Sequence, residues 1–157
     1  MDLIGKTTIH PLLFYTGKIF GYITWILFLL SIFNIFIINS QPNEFLKISS
    51  YMLFAIGLII VCISLINLGR STRLGLPSEN TTLKINGLYR FSRNPMYLGF
   101  DLLTLASIVF TADIIISMIG IYSIIIYHFI IIGEEKFLEK RFGIDYISYK
   151  RKVRRYV

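Results

Sequence analysis

The chain has little of what a soluble domain of its size relies on. Its 157 residues include one cysteine, four prolines, two histidines and nine acidic residues. The single cysteine, Cys62, lies inside an apolar run, so the sequence excludes a disulfide framework and a thiolate metal site. His10 has no other candidate metal ligand near it. We therefore predict no bound metal.

The sequence is instead rich in apolar residues. The hydrophobic fraction is 55% and the mean hydropathy is +0.68, which exceeds what a soluble core of this length could bury. This composition predicts an integral membrane protein that has the lipid bilayer as its surroundings. The net charge of +7 does not indicate a nucleic-acid partner, because the cations cluster beside apolar spans, as the positive-inside rule describes.

Four apolar stretches predict an all-α bundle of about four transmembrane helices, at 19–38, 49–68, 95–112 and 114–133. The first would measure about 30 Å as a helix, the thickness of the hydrocarbon core. The third is short for a full crossing. Because the first apolar run has full spanning length, residues 1–18 are expected to be an interfacial segment rather than a cleaved signal peptide.

The remaining segments are a polar loop at 69–94 and a charged C-terminal tail at 134–157, predicted to be an amphipathic helix. These two segments hold most of the lysines and arginines, whereas the 39–48 loop and the turn at Asp113 hold almost none. The positive-inside rule therefore places the loop, the tail and the N-terminus in the cytoplasm. We predict one multi-pass domain over 1–157.

The stretch 81–100 interrupts the apolar sequence with three cations and two tyrosines: Lys84, Arg90, Arg93, Tyr89 and Tyr97. A helix that begins at Pro95 leaves amides of its first turn unpaired at the positive end of the helix dipole. That arrangement suits an anion or another polar ligand. The alternative is a membrane-surface loop that its tyrosines and arginines anchor at the headgroups.

A second polar cluster is the adjacent pair Glu134 and Glu135 at the end of the fourth span. Two neighbouring carboxylates at a membrane boundary repel each other and lose hydration, so they need partners. Those partners are either cations in a structural network (Arg90, Arg93 or Lys136) or a ligand. The predicted topology puts the pair on the same face of the membrane as Asn94 and Pro95, so one pocket between spans three and four could contain both.

Several motifs together resemble a known family. They are Leu-Gly-Arg-Ser-x-Arg at 68–73, Thr-x-x-x-x-Gly-x-Tyr-x-x-x-Arg-x-Pro-x-Tyr from Thr82 to Tyr97, and then Glu-Glu, Phe-Gly and Tyr-x-x-Tyr-x-x-x-Val in the tail. In this order they resemble the isoprenylcysteine carboxyl methyltransferases and their phospholipid methyltransferase relatives. The resemblance covers residues 68–155.

The resemblance implies a small helical membrane bundle that binds S-adenosylmethionine in a cytoplasmic pocket closed by the loop and the tail. Residues 69–157 would form the cofactor-binding core, with less specific spans at 1–68. The acceptor would be a lipid-like or amphipathic molecule that enters from the bilayer. The implied cofactor contacts are Thr81, Thr82, Leu83, Lys84, Tyr89, Asn94, Pro95, Met96, Tyr97 and Glu134.

These residues suit the cofactor chemically. Glu134 would accept hydrogen bonds from its amine, and Tyr89 or Tyr97 would stack on its adenine. Candidates for catalysis are Asn94, His128 and Arg93, although His128 also fits a role in helix packing.

Two positions depart from the family pattern. Asn94 stands where the family usually has histidine, so a base is not expected there. Ile130 stands where the carboxyl methyltransferases have an arginine that holds the substrate carboxylate, so a prenylcysteine acceptor is not predicted. Two other functions stay open: a non-catalytic membrane scaffold, and a sterol-reductase-like enzyme that binds a nicotinamide dinucleotide. The sequence does not indicate whether the chain is a monomer or an oligomer.

Overall fold

The structure, a computed structural model, describes residues 7–35, 42–69 and 82–157. Over these ranges the chain forms helices and no strand, which confirms the predicted all-α class. The elements are α1 Pro11–Ile32, α2 Glu44–Leu68, a 3₁₀ turn Gly87–Arg90, α3 Pro95–Thr111, α4 Ile114–Phe142 and α5 Ile144–Lys152.

Three of the helices, α1, α2 and α4, are long and apolar enough to cross a membrane. The 17 residues of α3 extend about 25 Å, slightly less than the hydrocarbon thickness. Local signals set the helix starts. Prolines occupy the first turn of α1 and of α3, and the side chains of Asn43 and Asp113 accept backbone amides at the starts of α2 and α4.

Three helices differ in their limits from the predicted spans. The first helix begins at Pro11 rather than at residue 19 and ends at Ile32, followed by a turn in which Asn34 has a φ of 55°. Residues 36–38 of that predicted span lie outside the described residues. The helix contains Lys18, whose ammonium lies 4.2 Å from the centre of the Phe14 ring. Lysine is a good helix former, so this charge does not end the helix, and the aromatic ring stabilises the cation.

The second helix begins at Glu44 rather than at residue 49, because Asn43 caps it by accepting the Leu46 amide. The fourth helix continues past residue 133 to Phe142, so Glu134 and Glu135 lie within α4 and not beyond it. The predicted helical tail is therefore the last part of α4 together with α5.

Small residues allow the helices to approach closely. A Cβ atom on Gly99 of α3 would lie 2.9 Å from the carbonyl oxygen of Gly57 in α2, so these two backbones are in direct contact. Polar side chains also bond between α1 and α3. Trp25 Nε1 donates to Thr104 Oγ1 at 3.0 Å and Ser107 Oγ donates to the Thr24 carbonyl at 2.7 Å. In a bilayer, such close packing and interhelical bonds hold helices together.

Four helix ends meet on one side of the bundle: the start of α1, the end of α2, the start of α3 and the end of α4. We call this side the polar end. Thr8 Oγ1 donates to the Ile130 carbonyl at 3.4 Å, which places the start of α1 beside α4. Gly143, with a φ of 52°, separates α4 from α5, and α5 folds back over the polar end.

Candidate ligand-binding site at the polar end

A pocket of about 100 Å³ opens at the polar end. The loop before α3, the end of α2, the end of α4 and α5 each contribute to its wall. Its lining residues are Leu68, Thr82, Leu83, Lys84, Tyr89, Arg93, Leu138, Phe142, Tyr146 and Tyr149. Aromatic rings and aliphatic side chains form most of this surface, while Lys84 and Arg93 supply positive charge.

Two tyrosines fix one wall of the pocket. The Tyr149 hydroxyl donates to the Tyr89 carbonyl at 2.6 Å, which ties α5 to the 3₁₀ turn. Burial raises the pKa of Tyr149 to about 12, so this hydroxyl keeps its proton and remains a donor. Burial also raises the pKa of Tyr89, and the nearby Tyr149 and Glu134 add to the shift. Glu134 therefore lies near the pocket although it does not line it.

Beneath the pocket, Glu135 is held by two arginines and an asparagine. Arg93 Nε and Nη2 donate to Glu135 Oε1 at 3.1 and 2.9 Å, and Asn94 Nδ2 donates to the same oxygen at 3.1 Å. Arg155 Nε and Nη2 donate to Oε2 at 3.2 and 2.9 Å. The side chains of Glu135 and Arg93 are only 4% and 7% exposed. This is a buried, well-bonded ionic network.

Val153–Tyr156, which we call the C-terminal strap, crosses the same region. Arg93 donates from its backbone amide to the Arg154 carbonyl at 3.0 Å and from Nη1 to the Val153 carbonyl at 2.6 Å. Ser92 Oγ and Asn94 Nδ2 both donate to the Arg155 carbonyl at 3.2 Å. The strap thus pairs with the residues that lead into α3 and closes the bundle below the pocket.

Glu134 points to a different set of groups from Glu135. The buried Tyr97 hydroxyl donates to Glu134 Oε1 at 2.7 Å, and Lys18 of α1 interacts electrostatically with the carboxylate. Among the described residues, Glu134 forms no ion pair as close as those of Glu135. Its carboxylate therefore retains capacity to accept hydrogen bonds from a ligand.

Residues 45–145 match the phospholipid methyltransferase family. This range covers well over half of the 157 residues. The chain belongs to the phospholipid methyltransferase family. The predicted family is thus confirmed, and it is a family of membrane methyltransferases. No curated protein and no solved structure matches the chain.

The match to the phospholipid methyltransferase family includes most of the pocket wall, from Leu68 to Phe142. It leaves out α1, most of α5 and the C-terminal strap. The groups that hold Glu135 therefore come partly from inside the matched range, at Arg93 and Asn94, and partly from outside it, at Arg155.

The structure divides the predicted cofactor contacts into two groups. Thr82, Leu83, Lys84 and Tyr89 line the pocket. The other described residues of the predicted set do not line it but lie at the start of α3 or on α4 beside it: Asn94, Pro95, Met96, Tyr97 and Glu134. Thr81 lies outside the described residues.

Of the three candidates for catalysis, Arg93 and Asn94 both bond to Glu135. Asn94 precedes α3 but its side chain does not cap that helix, because its amide bonds to Glu135 and the strap. His128 lies two turns deeper on α4, where its Nδ1 is 2.6 Å from the Tyr156 hydroxyl. Ile130 is fully buried in the core cluster with Phe14 and Tyr97.

The sequence reading missed Lys18, Asp101, Arg155 and Tyr156. The sequence did mark Lys18 and Asp101, because each is the only charged residue in its helix. Ionisable residues inside membrane spans usually have a functional role. No signal marked Arg155 or Tyr156, because one tail arginine among several shows its partner only when the chain is folded.

Proposed function

We propose that this chain transfers a methyl group from S-adenosylmethionine to a lipid-like or amphipathic acceptor that enters from the bilayer. The observation that carries the proposal is the pocket at the polar end, because it lies where the motifs shared with membrane methyltransferases meet. Its lining of aromatic and aliphatic side chains with two cations has the composition that is typical of small-molecule sites.

The residues present fit each part of the cofactor. The aromatic rings of Tyr89, Phe142 and Tyr146 offer faces for an adenine. Lys84 offers a cation for the cofactor carboxylate. Glu134, near Tyr89 at the inner side of the pocket, would accept hydrogen bonds from the cofactor amine.

The first turn of α3 adds a further polar contact. Because Asn94 does not cap α3, the amides of Met96 and Tyr97 have no side-chain cap and can bind a negatively charged or polar group. Tyr97 also fixes Glu134, since its hydroxyl donates to the carboxylate at 2.7 Å. Asn94, Pro95, Met96 and Tyr97 thus form the inner side of the proposed site.

When bound, S-adenosylmethionine supplies an electrophilic methyl group on a sulfonium whose positive charge disappears on transfer. The chain's own contribution is to position the reactants and to exclude water. An ion network contributes to both tasks, because it fixes the C-terminal strap against the start of α3. The network consists of Arg93, Glu135 and Arg155. We further propose that the pocket faces the cytoplasm, since the 69–94 loop and the tail hold most of the cations.

Calorimetric titration of the detergent-solubilised protein tests the cofactor. We expect S-adenosylmethionine to bind and NADPH not to bind. Binding of NADPH alone would support the sterol-reductase-like alternative, and binding of neither would support the membrane scaffold.

A second titration tests the site itself. The Glu134→Gln variant should bind S-adenosylmethionine roughly 5- to 10-fold more weakly, because a charge-assisted hydrogen bond worth about 1.5–3 kcal/mol becomes a neutral one worth about 0.5–1.5 kcal/mol. The control is Glu139→Gln, which makes the same change on the same helix in a surface pair with Lys150. Equal affinities of the Glu134 variant and the control would exclude Glu134 as a cofactor contact.

A further inference from the structure

Lys18 is a lone cation inside the membrane bundle. It is the only charged residue of α1, it is partly buried, and among the described residues it forms no ion pair. Its ammonium lies 4.2 Å from the centre of the Phe14 ring, which is one turn nearer the polar end. A charge in a membrane span costs free energy, and such residues commonly serve a functional site. The match to the phospholipid methyltransferase family begins at residue 45, so it does not account for this lysine.

The packing of α1 against α4 brings Lys18 toward Glu134. The start of α1 lies beside α4 at Ile130, and the hydroxyl of Ser123, deeper on α4, donates to the carbonyl of Gly17 at 2.8 Å. The two helices are therefore antiparallel neighbours over this length. Side chains on a helix lean toward its N-terminus. Lys18 thus leans along α1 toward the polar end, whereas Glu134 leans inward along α4, and the two charges interact.

Few groups face the Glu134 carboxylate. The Tyr97 hydroxyl of α3 donates to it at 2.7 Å, Tyr89 of the 3₁₀ turn interacts with it electrostatically, and Lys18 is the cation that acts on it from α1. The arginines of the ion network both bond to Glu135 instead. A buried carboxylate that no cation balances takes up a proton and becomes neutral. Within the described part of the chain, Lys18 is therefore the group that can keep Glu134 charged.

We propose that Lys18 is a positioning residue of the cofactor site, whose ammonium keeps Glu134 charged and so able to bind the amine of the cofactor. This inference rests on the proposed function and adds to it a residue from outside the family match. Because Lys18 forms no close ion pair with the carboxylate, the oxygen atoms remain open to a second cation. Glu135 shows that this fold accommodates two cations at one carboxylate, since it accepts from two arginines.

Titration of Lys18 variants with S-adenosylmethionine tests the proposal. Lys18→Met removes the charge and keeps much of the side-chain length, so we expect roughly 5- to 10-fold weaker binding, as for Glu134→Gln. Lys18→Arg, which keeps the charge, should recover most of the affinity. The double variant of Lys18→Met and Glu134→Gln should bind no more weakly than Glu134→Gln alone, because Lys18 acts through that carboxylate.

Two controls separate this role from general damage to the fold. Methylthioadenosine has the adenine, the ribose and the sulfur atom of the cofactor but lacks its amino-acid end, so its binding should not change in Lys18→Met. Lys47→Met makes the same substitution in a surface pair with Glu44 on α2, and this variant should bind S-adenosylmethionine like the wild type.

The interaction of the two charges can also be measured without a ligand. In reversible unfolding in mixed micelles, Lys18→Met and Glu134→Gln combined should lose less stability than the sum of the two single losses. Each single change leaves the other charge without its partner, whereas the double change leaves neither charge.

Unchanged or tighter binding of S-adenosylmethionine to Lys18→Met would overturn the inference, as would an equal loss of affinity for methylthioadenosine. Failure of the proposed function gives a different result. If the wild type does not bind S-adenosylmethionine but the unfolding losses are non-additive, the methyltransferase function fails and Lys18 still keeps Glu134 charged. If the losses are additive as well, both the function and the inference fail.

Discussion

Replacing Glu135 by glutamine should destabilise the protein far more than the same change at other glutamates of α4. The Glu135 carboxylate is 4% exposed and accepts from Arg93 and Arg155 through both oxygens. Glutamine has nearly the same shape but no charge, so the substitution leaves two guanidinium groups beside a neutral amide. One amide oxygen also cannot satisfy all the donors that now bond to the carboxylate.

The magnitude follows from the burial of the two arginines. Removing one partner of a buried ion pair costs about 3–5 kcal/mol. Arg93 is 7% exposed, so its share applies nearly in full, whereas Arg155 is 33% exposed and regains some hydration. We therefore expect the free energy of unfolding to fall by about 3 kcal/mol.

The assay is reversible unfolding of the purified protein in mixed micelles, followed by circular dichroism. Glu139→Gln is the control, because Glu139 pairs with Lys150 at the surface, where the side chains are 40% and 42% exposed. That pair should contribute less than about 1 kcal/mol. If the two variants lose the same stability, the network around Glu135 does not stabilise the fold as argued.

Three further predictions follow from packing, charge and the acceptor. In the same unfolding assay, Gly99→Ala should lower the stability more than Gly120→Ala. A Cβ atom at Gly99 meets the backbone of α2, whereas a Cβ atom at Gly120 meets the flexible end of the Ile108 side chain at 2.8 Å. Similar losses in the two variants would contradict the direct contact of α2 with α3. In Cys62→Ser protein with single introduced cysteines, an impermeant reagent on intact cells should label the 39–48 loop and not the tail, and labelling of the tail would refute the cytoplasmic assignment. With methyl-labelled S-adenosylmethionine, a membrane lipid extract should accept more methyl groups than a farnesylcysteine analogue, because Ile130 provides no cation to hold the carboxylate of the analogue. Robust formation of a base-labile ester on the analogue would refute this prediction.

The sequence predicted the bundle well and its helix limits less well. Hydropathy finds apolar runs, so it located the four long apolar helices but not the helical residues that flank each run. Pro11 starts α1 eight residues before the predicted span, and Lys18 within it is stabilised by the Phe14 ring. The start of α3 was predicted correctly, because a proline in the first turn is a local signal that needs no tertiary contact.

The candidate site shows the same division between local and long-range information. The motifs in the loop before α3 identified the family and the residues that line the pocket at 82–84 and 89. The two adjacent glutamates were expected to need partners, and their charges alone left open whether the partners were cations or a ligand.

By itself the sequence determined the membrane environment, the all-α class and the family, because composition, hydropathy and motif spacing are properties of the linear chain. Only the tertiary structure gave Glu134 and Glu135 different surroundings. Successive residues on a helix point about 100° apart, so Glu134 reaches Tyr97 while Glu135 reaches Arg93 and Arg155. Which arginine of the tail arrives there depends on how the chain folds back after α5, and contacts over such sequence separations leave no local pattern.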